Sequence, residues 1–154
     1  MKFIRRSLLL LGLGSLLSVV ASAAATIVNA DSHSNIALQA YDPVAFFTDH
    51  KPMKGSPFIA AEHAGHTYLF ASEEHKAEFL RQPAKYLPAY GGYCAFGVSI
   101  GKLFPVEIET WEIIDGRLVL QFSNDIKRTF AEDKAGNLRK AEANWPELVA
   151  RETK

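Results

Sequence analysis

The sequence predicts one small α+β domain, two short antiparallel β-hairpins packed with helices, behind an N-terminal export signal. Three observations carry that expectation. The chain has 154 residues, room for one domain once a leader is set aside. Two apolar segments fold back across the tight-turn pairs Ala64-Gly65 and Asp115-Gly116. Stretches of helical character follow each hairpin, from Ser72 and from Ser123.

The leader comes first. Lys2, Arg5 and Arg6 form a positive head, and Ser7 to Val20 is a Leu-rich apolar run. That run is shorter than the ~20 residues a spanning helix needs. Small residues follow, and the small-x-small rule fits cleavage after Ala23 or after Ala30. The second is preferred because Asp31 begins the polar part of the chain. Residues 1–30 then form a signal peptide and residues 31–154 the mature domain. Arg5-Arg6 leaves the twin-arginine route open beside general secretion. No lipid-attachable cysteine lies near the cleavage region. The expected product is exported, periplasmic and without a stable membrane anchor.

The elements of the domain read in order. Tyr41 to Phe47 is an apolar cluster interrupted by Pro43, and Asp42 reads as a turn or capping residue. Asp49 to Pro57 is a loop. The first hairpin joins Phe58–Glu62 to Thr67–Ala71, and counting outward pairs His63 with His66, Ala61 with Tyr68 and Ile59 with Phe70. Ser72 fits a helix N-cap, with Glu73 and Glu74 favoured in the first turn. That helix should reach Gln82 and stop at Pro83. The second hairpin joins Trp111–Ile114 to Arg117–Phe122. It sets Ile113 opposite Leu118 and Trp111 opposite Leu120, with Glu112 and Arg117 on the other face. The tail from Ser123 to Arg151 is expected to be helical, broken near Gly136 and at Pro146. No internal repeat is legible after residue 30.

Charge and cysteine content narrow the function. Three of the 17 basic residues lie in the first thirty, which hold no acid, so the rest of the chain carries about −3. A mildly acidic domain has no electrostatic reason to bind nucleic acid. Motifs for nucleotides, flavin or c-type haem are missing, so no organic cofactor is implied. Cys94 is the one cysteine. It cannot form an internal disulfide, and is either an inert core residue, paired to another chain, a metal ligand or a working thiol.

Tyr41-Asp42-Pro43-Val44, Tyr68-Leu69-Phe70-Ala71-Ser72, Phe79…Pro83-Ala84-Lys85-Tyr86 and Tyr90-Gly91-Gly92-Tyr93-Cys94-Ala95 resemble the YHS-domain proteins, and most closely their small exported branch. The similarity runs from about Leu38 to Trp145. The wider family carries a metal-binding set of thiols. This sequence departs from it with Ala45, Ala71 and His75 at those three positions, and only His75 retains a metal-ligating side chain. Some members of the exported branch are selenoproteins. Selenium at the position of Cys94 would mark an atom used for chemistry or for soft-metal binding.

The leading expectation is therefore a YHS-like domain that binds or handles a soft transition metal, a Cu or Zn ion, through Cys94. His75, His63 and His66 are the candidate partners, since thiolate with imidazole suits both metals. A metal-donor protein would then be a partner. The alternatives are a single-thiol redox protein centred on Cys94 with a partner that resolves it, and a non-catalytic domain in which tyrosines line a small-ligand pocket around Cys94. The chain reads as a binder more than as an enzyme.

Overall fold

The computed structural model describes residues 27–154. The basic and apolar parts of the leader, and the Ala21-Ser22-Ala23 cleavage position, lie outside the described residues. Among the described residues no helix is long and apolar enough to cross a membrane. The fold is α+β, with two separate two-stranded antiparallel sheets packed among helices.

The chain lays down one structural unit twice. The first runs through a 3-10 turn, Leu38–Ala40, then α1 (Ala45–Thr48), β1 (Ser56–His63), β2 (His66–Phe70), α2 (Glu73–Arg81) and α3 (Pro83–Tyr86). The second runs through a 3-10 turn, Ala89–Gly92, then α4 (Ala95–Ser99), β3 (Glu107–Ile114), β4 (Arg117–Gln121), α5 (Asn124–Glu132) and α6 (Lys134–Glu152). From the first strand to the start of the last helix, every element of the second unit begins 51 residues after its counterpart, as Ser56 and Glu107, His66 and Arg117, Glu73 and Asn124 show. Special backbone conformations recur too. Leu38, Gln39 and Ala40 take positive φ, as do Tyr90, Gly91 and Gly92 52 residues on, and Gln82 and Asp133 have φ −144 and −140 with ψ 62 and 61.

This internal repeat corrects the reading of the sequence, where none was legible. From Ser56 to Gln82, only Gly65/Gly116, Leu69/Leu120, Ser72/Ser123, Lys76/Lys127 and Phe79/Phe130 coincide at that spacing. Several of these sit where geometry is exacting. Gly65 and Gly116 take positive φ beside Ala64 and Asp115, as type I′ turns require. Ser72 and Ser123 accept the backbone N–H of His75 and Ile126 as N-caps. Phe79 and Phe130 are buried.

Both hairpins match the expected register near the turn and depart from it beyond. His63↔His66 and Ala61↔Tyr68 pair as predicted, but Phe70 lies opposite Ser56 instead of Ile59. Pro57, which has no N–H to give the ladder, falls within that irregularity. Ile113↔Leu118 also pairs as predicted, whereas Trp111 does not face Leu120, because the register shifts between Glu107 and Glu112. There the Thr110 hydroxyl accepts the Gln121 N–H at 2.8 Å, in place of a backbone acceptor. Trp111 packs edge-on against Phe46 instead, ring centroids 5.5 Å apart.

Strand β4 is buried on both faces. Leu118 and Leu120 join Leu38, Phe46 and Cys94 in one core cluster, while Val119 joins Ala89, Tyr90, Val98 and Phe130 in another. A third cluster gathers Val44, Tyr68, Phe70, Phe79 and Tyr86. The helical tail breaks at Asp133, three residues before Gly136, near which a break was expected. Asp133 caps α6 by accepting the Gly136 N–H at 3.0 Å, and a Cβ at Gly136 would strike its carboxylate. Helix α6 also runs through Pro146, expected to break it. A proline inside a helix costs about 3 kcal/mol. Ala141 and Leu148, buried on either side of it, hold the helix to the core.

Candidate functional site

Ahead of the strands the offset differs by one residue, and Asp42 and Cys94, 52 residues apart, take similar places in the two units. Each follows a left-handed turn and a tyrosine (Tyr41, Tyr93), and each caps the start of a short helix. Their surroundings differ in kind.

In the first unit, Asp42 is fully buried and its carboxylate is saturated with donors. Oδ1 accepts from the Val44 N–H at 2.8 Å, and Oδ2 from the Ala71 N–H at 2.8 Å. His75 Nδ1 lies 2.7 Å from Oδ2, and its Nε2 lies 3.2 Å from Asp49 Oδ2. The Thr48 hydroxyl donates to the same Asp49 oxygen at 2.7 Å and stands 3.4 Å from Nε2. The imidazole is thus clamped between a buried carboxylate, which orients the ring, and a half-exposed one. Asp42 proves to be the capping residue the sequence suggested, and Asp49, read only as loop, is the partner the sequence did not reveal.

In the second unit, the residues 51 places beyond Ala71 and His75 are Phe122 and Ile126. With Cys94, Phe96, Gly97, Ile100 and Phe104 they line a cavity of about 200 Å³. Among the described residues no charged, hydroxyl or amide side chain lines it. Cys94 itself is 1% exposed. Its thiol donates to Gln121 Oε1 at 3.3 Å and accepts the Gly97 N–H at 3.4 Å. Gln121 is buried and its Oε1 also takes the Phe96 N–H at 3.0 Å. The mouth is apolar as well: Ile100, Phe104 and Phe122 are all exposed, with the two phenyl rings 6.1 Å apart.

The predicted metal partners do not gather around Cys94. His75 belongs to the Asp42 cluster. His63 packs edge-on against Phe79, ring centroids 5.8 Å apart, and His66 Nδ1 pairs with Asn35 Oδ1 at 2.8 Å. His63 and His66 do face each other across the first turn, as predicted. Cys94 shares no hydrogen-bond partner with any of the three. Among the described residues no group of three or more His, Cys, Asp or Glu side chains is placed to hold a metal ion. The tyrosines do not line the Cys94 cavity either. Tyr68 and Tyr90 line a different pocket, and burial pushes the Tyr68 phenol up to about 12.

Residues ahead of the preferred cleavage position pack on the Gly-rich turn. Asn29 donates its backbone N–H to Gly91 O at 2.8 Å and its side-chain amide to Gly92 O at 3.1 Å. A Cβ at Gly91 would lie 2.0 Å from Ile27 O, and its φ of +60 already favours glycine.

No protein-family model, curated protein or solved structure matches this chain.

Proposed function

We propose that this protein is an exported YHS-like domain that binds a small, apolar, soft ligand at Cys94, and that it acts as a binder and not as an enzyme. One observation carries the reading: the only cysteine lies at an apolar cavity, held in place by Gln121 and the Gly97 N–H. A polarizable thiol among phenyl and aliphatic side chains favours soft, weakly hydrated ligands over charged, strongly hydrated ones. The volume supports it too. Cavities of about 150 Å³ lined by such side chains take up benzene or xenon. The depth of Cys94 argues against a mixed disulfide with a protein partner, which needs an accessible sulfur.

The contacts of Asn29 bear on maturation. Cleavage after Ala30 would remove both of its hydrogen bonds, whereas cleavage after Ala23 keeps them. These contacts favour a mature chain that starts at Ala24.

The test uses the protein recovered from the periplasm beside a Cys94→Ser variant, by native mass spectrometry and metal analysis. A bound organic mass, or benzene and xenon uptake, present in the wild type and lost or weakened in the variant supports the reading. Stoichiometric copper or zinc lost in both Cys94→Ser and His75→Ala overturns it in favour of metal handling. The intact mass also reads the N-terminus directly.

A further inference from the structure

A set of polar groups outside the two capping sites lies where the tip of the first hairpin meets the second unit. There a pocket of about 360 Å³ opens between His63 and Tyr68 on one side and Tyr90, Arg117 and Trp145 on the other. That volume is within the range of small-molecule sites. Its apolar wall includes Val28, Leu87 and Pro88.

Tyr68 offers the pocket a hydrogen-bond donor. The residue is 1% exposed, yet its hydroxyl has no hydrogen-bond partner among the described residues. No fully enclosed side-chain oxygen or nitrogen there lacks a partner, so the little surface that Tyr68 keeps includes its hydroxyl, facing the pocket that it lines. That hydroxyl is open to the pocket, where water or a bound acceptor takes its hydrogen bond. Tyr86 and Tyr90 show the contrast, since their hydroxyls donate to Glu78 and Glu142 at 2.7 and 2.8 Å.

The other polar side chains are the His63 imidazole and the Arg117 guanidinium. Arg117 pairs through Nη1 with Glu142, which is not part of the lining, and stands over the Tyr90 ring. A guanidinium has five N–H donors, so most remain to be used. The lining thus offers a phenol donor, a cationic fork and an imidazole, without a carboxylate among them. We propose that this pocket binds a small organic carboxylate, its apolar body against Leu87, Pro88 and Trp145 and its carboxylate accepting from Tyr68 and Arg117. Charge-assisted bonds to guanidinium favour a carboxylate over a neutral carbonyl.

Phenylacetate titrated into the isotopically labelled mature protein tests this, with amide shifts read by NMR. Saturable shifts are expected at Ala64, Tyr90 and Gly91. Tyr68→Phe, which keeps the ring, should weaken binding roughly three- to tenfold, Arg117→Gln by about tenfold or more, and phenylacetamide should bind more weakly than phenylacetate. Cys94→Ser should leave all of this unchanged. Tyr68→Phe suffices should Arg117→Gln fail to fold. The proposal is overturned by an absence of saturable shifts, by shifts centred on Phe96 and Ile126 instead, by a Tyr68→Phe variant that binds as the wild type does, or by equal affinity for the amide.

Discussion

The two capping sites share a backbone and differ in chemistry. Asp42 and Cys94 sit at equivalent turns, but one faces Ala71 and His75 and the other Phe122 and Ile126. Around Asp42 the space is filled by hydrogen bonds: four groups, the N–H of Val44, Ala45 and Ala71 and the ring of His75, converge on one carboxylate. Around Cys94 the thiol replaces the carboxylate, an aliphatic chain replaces the imidazole, and an apolar space remains. The difference teaches that one fold position serves either as a structural rivet or as an open site, according to whether polar or apolar side chains face it.

Breaking the rivet should have the largest effect. Asp42→Ala strands three backbone N–H groups and an imidazole, and should cost about 3–5 kcal/mol in urea unfolding. The equivalent Cys94→Ser should cost far less, about 1 kcal/mol, because a hydroxyl keeps both hydrogen bonds. Equal losses would show that the sites are not functionally distinct. His75→Ile, which installs the residue of the second unit, removes one donor from Asp42 and should cost about 1–3 kcal/mol.

Filling the second site is a gentler test. A Cβ at Gly97 would lie 2.7 Å from Phe104 and 3.0 Å from the Lys102 carbonyl. Gly97→Ala should therefore cost about 1–2 kcal/mol through overpacking and should weaken benzene uptake in the same sample. Unchanged uptake would mean that Phe104 does not wall the cavity.

The smallest effect concerns how the second unit is tied to α6. Burial raises the Glu142 carboxyl, but hydrogen bonds from Arg117 and Tyr90 outweigh it and hold it below the ordinary value. A carboxylate lowered on folding stabilises the protein above its unfolded value of 4.5 and loses that contribution as pH falls through the folded value. The pair is half-exposed, so the contribution is under about 1 kcal/mol. Glu142→Gln should lower stability at neutral pH and flatten its fall below pH 4.5, as followed by thermal unfolding across pH.

The legible parts of the fold were those settled within a few residues. Ala64-Gly65 and Asp115-Gly116 specify their turns through positive φ, and Ser72 its cap through one hydrogen bond to the residue three places on. The registers were legible for just the residues nearest those turns, until Pro57 and Thr110 altered the ladders. Of the candidate site, the sequence singled out Cys94 and His75 and a capping role for Asp42. It did not show that Cys94 and His75 belong to separate copies of one unit, since five coincidences are too few to display a repeat.

By itself, then, the sequence determined the α+β class, both tight turns, the serine cap at α2 and the single thiol, because each depends on backbone preference or composition. Only the tertiary structure decided that β4 is buried on both faces, that α6 passes through Pro146, and that the thiol meets Gln121, 27 residues away, at an apolar cavity. Those outcomes rest on packing between elements distant in the chain, where the burial of whole side chains outweighs the local preference of any one residue.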